Sequence, residues 1–358
     1  MLSPDTAQYA GTVAGGMRID AIAAAARRVE ELGFDGATTP EAGHDPFVPL
    51  AIAAEHTRRI SLGTNVAISF PRSPLATAQV AWDLQALSGG RFQLGLGTQV
   101  KGHNERRYAA PWTGPPGPRM RDYVLCVKAM FASFQNPKQP TYFTGKYYQF
   151  SMMTPFFNPG PIEHPHVPIY LAAVNPYMCR LAGELCDGIR LHPLSTFRHT
   201  RDVVLPALAA GAAKAGRKAA DIDVVGCPFL AVSKTKDGLE AAKAAVKQRI
   251  AFYSSTRTYH SVLEFHGWAD LGMQLHQLSL EGKWREMPKL ISDEIMEEFA
   301  IVAVGDEFAA KVKERCRGIF STFLIDGAPE LQRDEGWLKQ AIAELHRPDS
   351  CGARMLDQ

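Results

Sequence analysis

Short β-rich runs alternate with longer helical patterns along most of this chain. Such alternation is typical of βα units, in which a helix joins each strand to the next strand of a parallel sheet. Eight runs are present, and eight parallel strands joined by helices favour a closed (β/α)8 TIM barrel. The chemistry of such a barrel takes place at the carboxyl ends of its strands. The predicted strands are 9–13, 34–39, 61–68, 92–98, 168–174, 188–194, 222–233 and 321–325.

Residues that begin and end helices agree with this alternation. Asp or Asn followed by proline suits the N-cap and the first position of a helix, and this pair occurs at Asp45 with Pro46 and at Asn175 with Pro176. Glycines favour the position just after a helix. The glycines predicted to end helices are Gly33, Gly89 and Gly90.

Composition and charge restrict the class of protein. The chain has 358 residues, of which 46% are hydrophobic and 21% charged, as expected of a globular chain with a large core. We expect a single domain over residues 1–358, because one barrel can fill such a length. Lys and Arg number 39 against 37 Asp and Glu, without a block of like charges, so we expect no nucleic-acid partner.

Neither a membrane span nor a leader peptide is predicted. The longest apolar run, 203–213, contains a proline and a glycine and falls well short of the roughly 18 residues that cross a bilayer. The amino terminus has no positive charge before Arg18 and no apolar core of a signal peptide. We therefore expect a cytoplasmic protein. Its six cysteines include no C-x-x-C pair, so we expect reduced thiols and no metal site.

Two stretches are longer than an ordinary connection between a helix and a strand. We interpret 135–167 and 252–292 as insertions after the fourth and seventh predicted strands. The second stretch carries Trp268 and Trp284 and precedes the last strand, which places a substrate pocket beneath it. Packing or an interface is an equal alternative for both stretches.

Several residues follow predicted strands, where the active site of a barrel lies. Glu41 and His44 follow the second strand, and we predict that they transfer protons or bind a cofactor ring, against the alternative of a surface loop. Gly95 and Gly97 leave room for a planar ligand, although strand glycines can equally mark close backbone packing. Gly95 and Gly97 do not begin a dinucleotide-binding G-x-G-x-x-G motif, because Val100 occupies the position of its third glycine.

One segment of the chain resembles a known family. It reads Leu-Ser-Gly-Gly-Arg-Phe-Gln-Leu-Gly-Leu-Gly-Thr-Gln over 87–99, and it is accompanied by Gly-Thr-Asn-Val at 63–66, Arg-Ser-Pro at 72–74, His103 and an Arg pair at 106–107. With these motifs the chain resembles the bacterial luciferase-like superfamily. More narrowly, it is similar to the branch of oxidoreductases that depend on the deazaflavin coenzyme F420.

The resemblance implies a barrel that binds a flavin or deazaflavin at its mouth. It implies a cis peptide bond between Asn65 and Val66. It also implies that small residues approach the ring, that the fifth strand and the following helix face the cofactor phosphate, and that cations meet the cofactor tail. The implied ring residues are Asn65, Val66, Gly97, Thr98 and Gln99; the phosphate residues are Ala172, Ala173 and Asn175; the cations are Lys101, Arg106, Arg107, Arg119 and Arg180.

The chain also departs from the pattern of the branch. Several relatives have an acid followed directly by histidine after the second strand, whereas Glu41 is followed by Ala42 and the histidine comes later, at His44. Some relatives have a glutamate near Gln99, and an amide there can bind but cannot relay a proton. Should Glu41 and His44 not act, His192 after the sixth strand is the next candidate.

We therefore predict an oxidoreductase that transfers a hydride between F420 and a small organic substrate. The alternative is a luciferase-like monooxygenase that uses flavin mononucleotide (FMN). A metal-dependent hydrolase is disfavoured because 9–13 lacks the histidines of such barrels, and a non-catalytic binding barrel stays open. Alanines along 19–29 suit close helix packing, and we expect a homodimer formed through early barrel helices.

Overall fold

A parallel sheet of nine strands forms the centre of the protein. In the computed structural model, the described residues are 8–12 and 18–348. Two further pairs of strands lie outside the central sheet. The strands are β1 (Gln8–Thr12), β2 (Gly36–Thr39), β3 (Ser61–Thr64), β4 (Ala67–Ile68), β5 (Phe92–Gly97), β6 (Phe143–Thr144), β7 (Gln149–Phe150), β8 (Ile169–Ala173), β9 (Gly188–Leu191), β10 (Asp223–Gly226), β11 (Phe229–Ser233), β12 (Ala300–Val304) and β13 (Thr322–Ile325).

The central sheet curls round on itself as in TIM barrels. From β1 it continues through β2 to β3 on one side and through β13, β10, β9 and β8 to β5 on the other. The two ends then pair, with Leu62 opposite Phe92 and Ala67 opposite Leu96. This confirms the predicted α/β class with a parallel, barrel-type sheet.

Two predicted strands differ from the observed ones. The run 61–68 is interrupted between β3 and β4 at Asn65 and Val66, which are joined by a cis peptide bond, as the resemblance implied. The run 222–233 is two strands: β10 belongs to the barrel, whereas β11 pairs outside it with β12, Phe229 opposite Ala300. Pro228 lies between them and lacks the N–H group needed to continue a ladder. The pairs β6–β7 and β11–β12 were not predicted.

Helices follow most barrel strands and cover the outside of the sheet. Gly33 and Gly89 have φ of 94° and 64° at the ends of two of them, as predicted for glycines that terminate helices. The helices are α1 (Ile22–Glu31), α2 (Val48–His56), α3 (Pro74–Leu87), α4 (Lys101–Arg106), α5 (Pro116–Gln135), α6 (Pro176–Leu185), α7 (Phe197–His199), α8 (Leu205–Lys214), α9 (Lys236–Ser254), α10 (His260–Phe265), α11 (Ala269–Leu280), α12 (Asp293–Phe299), α13 (Glu307–Cys316), α14 (Pro329–Arg333) and α15 (Glu335–Leu345).

The main hydrophobic core lies between the sheet and these helices. Arg91, from the motif at 87–99, connects three elements around it. Its guanidinium donates hydrogen bonds to the carbonyls of Ala54 and Thr57 near the end of α2, of Ile60 before β3, and of Ser88 after α3. Helix ends leave such carbonyls without partners, so one arginine satisfies several of them at once. This part of the motif therefore stabilises the barrel.

An apolar cluster and a buried arginine lie side by side inside the barrel. Tyr170, Val225, Leu324 and Cys227 form a small apolar cluster there. Arg190 crosses the interior beside them: its Nη2 donates to Gln93 Oε1 at 3.1 Å, and its guanidinium carbon lies 4.6 Å from the centroid of the Tyr170 ring. Burial lowers the pKa of Arg190.

Two glycines make the space that Arg190 occupies. A Cβ atom at Gly63 would lie 2.7 Å from Arg190 Nη2, and one at Gly95 would lie 2.9 Å from Arg190 Nε and collide with the carbonyl oxygen of Thr64. Both positions therefore require glycine for a close approach. Of the alternatives for Gly95 in the sequence, close packing is the one observed.

The two long stretches contact different parts of the barrel. Residues 135–167 contain β6, β7 and extended chain that packs on α3, where Trp82 Nε1 donates to the Gly160 carbonyl and Gln85 Nε2 to that of His166. Residues 252–292 contain α10 and α11 and build a second core with Phe229 and Leu194. That these stretches are insertions stays a prediction.

Candidate functional site

Small residues meet at the carboxyl ends of β5 and β8. Gly97 is the last residue of β5, and a Cβ atom there would lie 2.6 Å from Val66 Cγ2 and 3.6 Å from Ala172 Cβ. Val66, Gly97 and Ala172 thus converge from three neighbouring segments, whereas the roles that the resemblance implied, Val66 and Gly97 at the ring and Ala172 at the phosphate, stay predictions. They form a floor at the mouth in which the Val66 side chain packs against Gly97, and Val66 and Ala172 are partly exposed there.

The backbone beyond Gly97 is held in an unusual conformation. Gln99 has φ of 55°, in the left-handed region that non-glycine residues seldom adopt. Its Oε1 accepts from its neighbour, the Val100 N–H, at 3.0 Å, and Asn104 Nδ2 donates to the Thr98 carbonyl at 2.9 Å. Such backbone strain concentrates at functional sites. Thr98 and Gln99 therefore lie at the mouth in a fixed loop.

Glu41 is engaged in contacts within the protein. Its carboxylate, only 6% exposed, accepts hydrogen bonds from the Ile68 N–H at 2.7 Å and from Arg72 Nη1 at 2.6 Å. Arg72 also pairs with Asp45, at 2.9 Å. Burial, followed by the charge of Glu41, raises the pKa of the nearby Tyr108 phenol. Glu41 thereby holds the second and third strand loops together.

His44 is not brought together with Glu41. It is exposed and borders a surface depression formed with Arg18, Asp20 and Ile52 beside α1 and α2. Asp45, predicted to cap α2, accepts from the N–H of Phe47 at 2.9 Å, and the helix begins at Val48, two residues later than Pro46. A joint role for Glu41 and His44 stays a prediction.

The predicted cations around the mouth differ in what they already bind. Arg107 donates to the Ala42 carbonyl at 2.6 Å, and Lys101 lies 3.9 Å from Glu105. Arg106 and Arg180 are exposed. The guanidinium groups of both residues form no hydrogen bond or ion pair with any residue of 8–12 and 18–348. Their charges therefore stay available to an anionic ligand.

Arg119 differs from the prediction that it meets a cofactor tail. It is buried, and its guanidinium donates to Tyr148 Oη and to the carbonyls of Pro111 and Phe70, while lying 4.1 Å from the Phe70 ring centroid. Its donors satisfy loop carbonyls that would otherwise be buried without partners. The prediction that Arg119 meets the cofactor tail was wrong, because its guanidinium is buried and its donors bind the protein. The sequence did not show this, since the hydrogen-bond partners are far apart along the chain.

The start of α6 offers a limited set of donors. Asn175 Oδ1 accepts from the Met178 N–H at 3.0 Å, which confirms it as the N-cap, and Pro176 has no N–H. The Tyr177 N–H and Asn175 Nδ2 are left as donors for an anion. Ala173 points into the outer core, so only its backbone can face a ligand.

His192 follows β9, the strand that pairs with β8. Its Nδ1 accepts from the Leu194 N–H at 3.0 Å. Its ring stacks on Tyr259 with centroids 4.3 Å apart and makes a T-shaped contact with Tyr253 with centroids 4.7 Å apart. Burial, with a smaller effect of the positive Arg249, lowers its pKa to about 4. His192 is therefore a neutral imidazole whose proton is on Nε2.

Arg249 is a functional candidate that the sequence reasoning missed. It lies on α9, one turn before Tyr253, with its guanidinium carbon 5.0 Å from the centroid of the Phe229 ring. It also lies against Gly327 after β13, where a Cβ atom would collide with its Nη1. No sequence signal marked it, because an arginine in a long helix is usually solvated.

The described residues contain neither a metal-binding cluster nor a membrane-spanning helix. Residues 8–12 and 18–348 contain no group of three or more His, Cys, Asp or Glu side chains that could hold a metal ion. No helix in the same part of the chain has both the length and the apolar composition needed to cross a membrane.

The parallel sheet that curls round on itself under a cover of helices defines an α/β protein of the TIM-barrel class. The model of the luciferase-like monooxygenase family matches residues 3–322, and the chain belongs to this family. An uncharacterized protein of Mycobacterium tuberculosis is 43% identical over 301 residues, which cover 84% of this chain and 88% of that protein. A 5,10-methylenetetrahydromethanopterin reductase of Archaeoglobus fulgidus is 29% identical over 310 residues, 84% and 87% of the two chains.

Solved structures agree on the fold. The coenzyme F420 dependent tetrahydromethanopterin reductase of Methanopyrus kandleri superposes with a TM-score of 0.75 at 22% identity, over 95% of this chain and 97% of that one. A riboflavin lyase with modified FMN gives 0.71 at 13% identity, over 95% and 92%. Both cofactor classes thus occur on this fold, so the fold alone does not decide between them.

Proposed function

We propose that this protein is an oxidoreductase that transfers a hydride between coenzyme F420 and a small organic substrate. The observation that carries the proposal is the floor of Val66, Gly97 and Ala172 at the mouth of the barrel, where Val66 and Ala172 are partly exposed. A putative coenzyme F420-dependent oxidoreductase of Mycobacterium tuberculosis is 29% identical over 329 residues, 85% of this chain and 90% of that protein, and this similarity supports F420 over other flat cofactors. When bound, a deazaflavin supplies a carbon centre that gives or takes a hydride and reacts poorly with oxygen.

The residues around the floor fit such a cofactor. Val66, Gly97 and Ala172 would lie under the ring, with Asn65, Thr98 and Gln99 at its edge. The Tyr177 N–H and Asn175 Nδ2 would bind the phosphate. Because the F420 tail carries several carboxylates, Arg106 and Arg180 would bind it through charge-assisted hydrogen bonds.

The alternative is an FMN-dependent monooxygenase, which the match to the luciferase-like monooxygenase family favours, while the riboflavin lyase with modified FMN has the same fold. Titration of each cofactor into the purified protein, followed by fluorescence, separates the two. We expect tighter binding of F420 than of FMN, with affinity that falls as salt rises, since exposed charges are screened. We also expect turnover without oxygen. Preference for FMN with oxygen-dependent product formation would replace the proposal by the alternative.

Variants at the cations make this titration more specific. Arg106→Met and Arg180→Met together should weaken F420 binding about tenfold and leave FMN binding within twofold, because FMN has no tail. Arg285→Met removes an exposed arginine from the 252–292 stretch and is the matched control. Equal effects on the two cofactors would show that these arginines do not bind the tail.

The homodimer stays part of the proposal. Ala24 on α1 is exposed and Ala25 partly exposed, which leaves a surface of small residues on an early barrel helix. Most soluble oligomers are closed and twofold. Light scattering at micromolar concentration should report twice the mass of the chain, and a monomer there would contradict this expectation.

A further inference from the structure

We propose that His192 and Arg249 form the substrate subsite and that it takes an organic acid: Arg249 binds the carboxylate, and His192 Nε2 donates a hydrogen bond to a second oxygen. The inference rests on the proposed function, because it places a substrate beside the cofactor floor. The subsite specifies the chemical class of the substrate and the two residues that bind its oxygens.

The position of Arg249 follows from its helix. On α9, Arg249 and Tyr253 are four residues apart and share one face. That face is directed at the ends of three barrel strands: Tyr253 contacts His192 after β9, and Arg249 lies against Gly327 after β13. Burial raises the pKa of the Cys227 thiol, after β10, to about 12; the charge of Asp326 raises it further and that of Arg249 lowers it, so both charges act at this strand end. The guanidinium therefore lies over one side of the mouth.

Arg249 has no anionic partner. Its guanidinium makes no hydrogen bond and no ion pair with any residue in the described ranges 8–12 and 18–348. It makes a cation–π contact with the ring of Phe229. Asp326, the acidic residue that follows β13, is not within ion-pair distance of it. A partly buried arginine without a carboxylate costs desolvation energy, which an anionic ligand would recover.

His192 contributes a donor with a fixed direction. Because Nδ1 accepts from the Leu194 N–H, the proton of the neutral ring is on Nε2. Tyr259 stacks on one face of the ring and Tyr253 makes a T-shaped contact with it, so the plane of the imidazole is set by packing. Nε2 makes no hydrogen bond with another described residue, and it can therefore donate to a ligand oxygen.

The walls of the subsite suit the apolar body of such an acid. Tyr253 and Tyr259, both partly exposed, supply aromatic surface around the two polar groups, and the buried Phe229 packs behind Tyr253. Aromatic side chains bury apolar ligand surface well, and a few polar groups then fix its orientation. An acid with an aromatic or alicyclic body matches both features.

Benzoate and benzamide test the proposal, since they share a shape and differ in charge. Calorimetric titration of the full-length protein, with and without F420, should give a dissociation constant for benzoate at least tenfold lower than for benzamide. Arg249→Met should abolish the preference, whereas Arg249→Lys should keep part of it. Arg285→Met, the exposed control, should keep all of it.

A spectroscopic readout locates the probe. Benzoate should shift the Cε1–H resonance of His192 in the wild type, and His192→Gln identifies that resonance by its absence. The proposal is overturned if benzoate binds no better than benzamide, if Arg249→Met keeps the preference, or if the His192 resonance does not move. F420 affinity, measured on the same variants, should stay within twofold, so failure of this subsite is distinct from failure of the cofactor assignment.

Discussion

The two sides of the barrel mouth use polar residues in opposite ways. On the side of β2 to β5, the Glu41 carboxylate is nearly sealed from solvent and already bound by Arg72 and the Ile68 N–H. On the side of β9 to β13, His192 Nε2 and the Arg249 guanidinium have no partner among the described residues. A polar group whose hydrogen bonds are complete stabilises the fold, whereas one with spare capacity can bind a ligand. We therefore expect mutations of the engaged group, Glu41, to affect stability and mutations of the groups with spare capacity, His192 and Arg249, to affect ligands.

The largest expected effect lies beneath the first side. Gly95→Ala would place a Cβ atom against the Thr64 carbonyl, which is backbone and cannot turn away. We expect the free energy of unfolding in urea to fall by about 3 kcal/mol, at the upper end of overpacking costs. Gly43→Ala is the control, because no atom lies within 4 Å of its added Cβ. Equal stability of the two variants would show that this side is not tightly packed.

Glu41→Gln should cost about 2 kcal/mol of unfolding free energy, since it removes the charge from a nearly buried hydrogen bond to Arg72. Glu55→Gln, at an exposed position on α2, should cost much less and serves as the control. The measurement is again urea denaturation, with turnover measured in parallel. A variant with wild-type stability and lost turnover would give Glu41 the acid/base role predicted from the sequence and would break the comparison.

His192→Gln should cost only about 1 kcal/mol, because the ring loses its packing on Tyr259 but no hydrogen bond at Nε2. In the His192→Gln variant, the side-chain amide oxygen can still accept from the Leu194 N–H. His103→Gln, at an exposed position on α4, is the control for the change of residue type. A loss larger than that of Glu41→Gln would reverse the assignment of the two sides.

The pH dependence of stability gives the smallest expected difference. The pKa of His192 lies at about 4 in the folded protein, below the ordinary value of 6.5, so the unfolded chain binds the proton first. The stability that this group contributes is complete above pH 6.5 and is lost as the pH falls toward 4. Between pH 7 and 5, His192→Gln should lose about 1 kcal/mol less than the wild type, after a discount for partial exposure. Identical losses would mean that His192 is not held neutral by burial.

Much of the fold was predictable because it is encoded locally. Apolar strand runs and the glycines and prolines that end them occur within a few residues of each other, and these signals located the barrel strands. The pair β11–β12 was missed because its two strands are separated by four helices in the chain, and no local signal specifies such a partner.

The site was predictable only where it depends on the backbone. The meeting of Val66, Gly97 and Ala172 follows from strand order, since the carboxyl ends of parallel strands lie together. The engagement of Glu41 by Arg72 and of His192 by Tyr259 depends on side chains 31 and 67 residues apart, from positions 41 to 72 and 192 to 259. Such contacts are set by tertiary packing. The sequence alone therefore does not show whether a polar group is free to bind a ligand.

The pairing of β11 with β12 has a consequence for how enzymes of this kind diversify. Phe229 lies opposite Ala300, so one pair of strands outside the barrel fixes both ends of the chain that carries Arg249, Tyr253 and Tyr259. The entropic cost of closing such a loop rises only slowly with its length. Substitution, shortening or exchange of this one continuous stretch would alter substrate choice while the cofactor floor keeps its geometry. The stretch is thus a natural unit for recombination between relatives and for directed evolution.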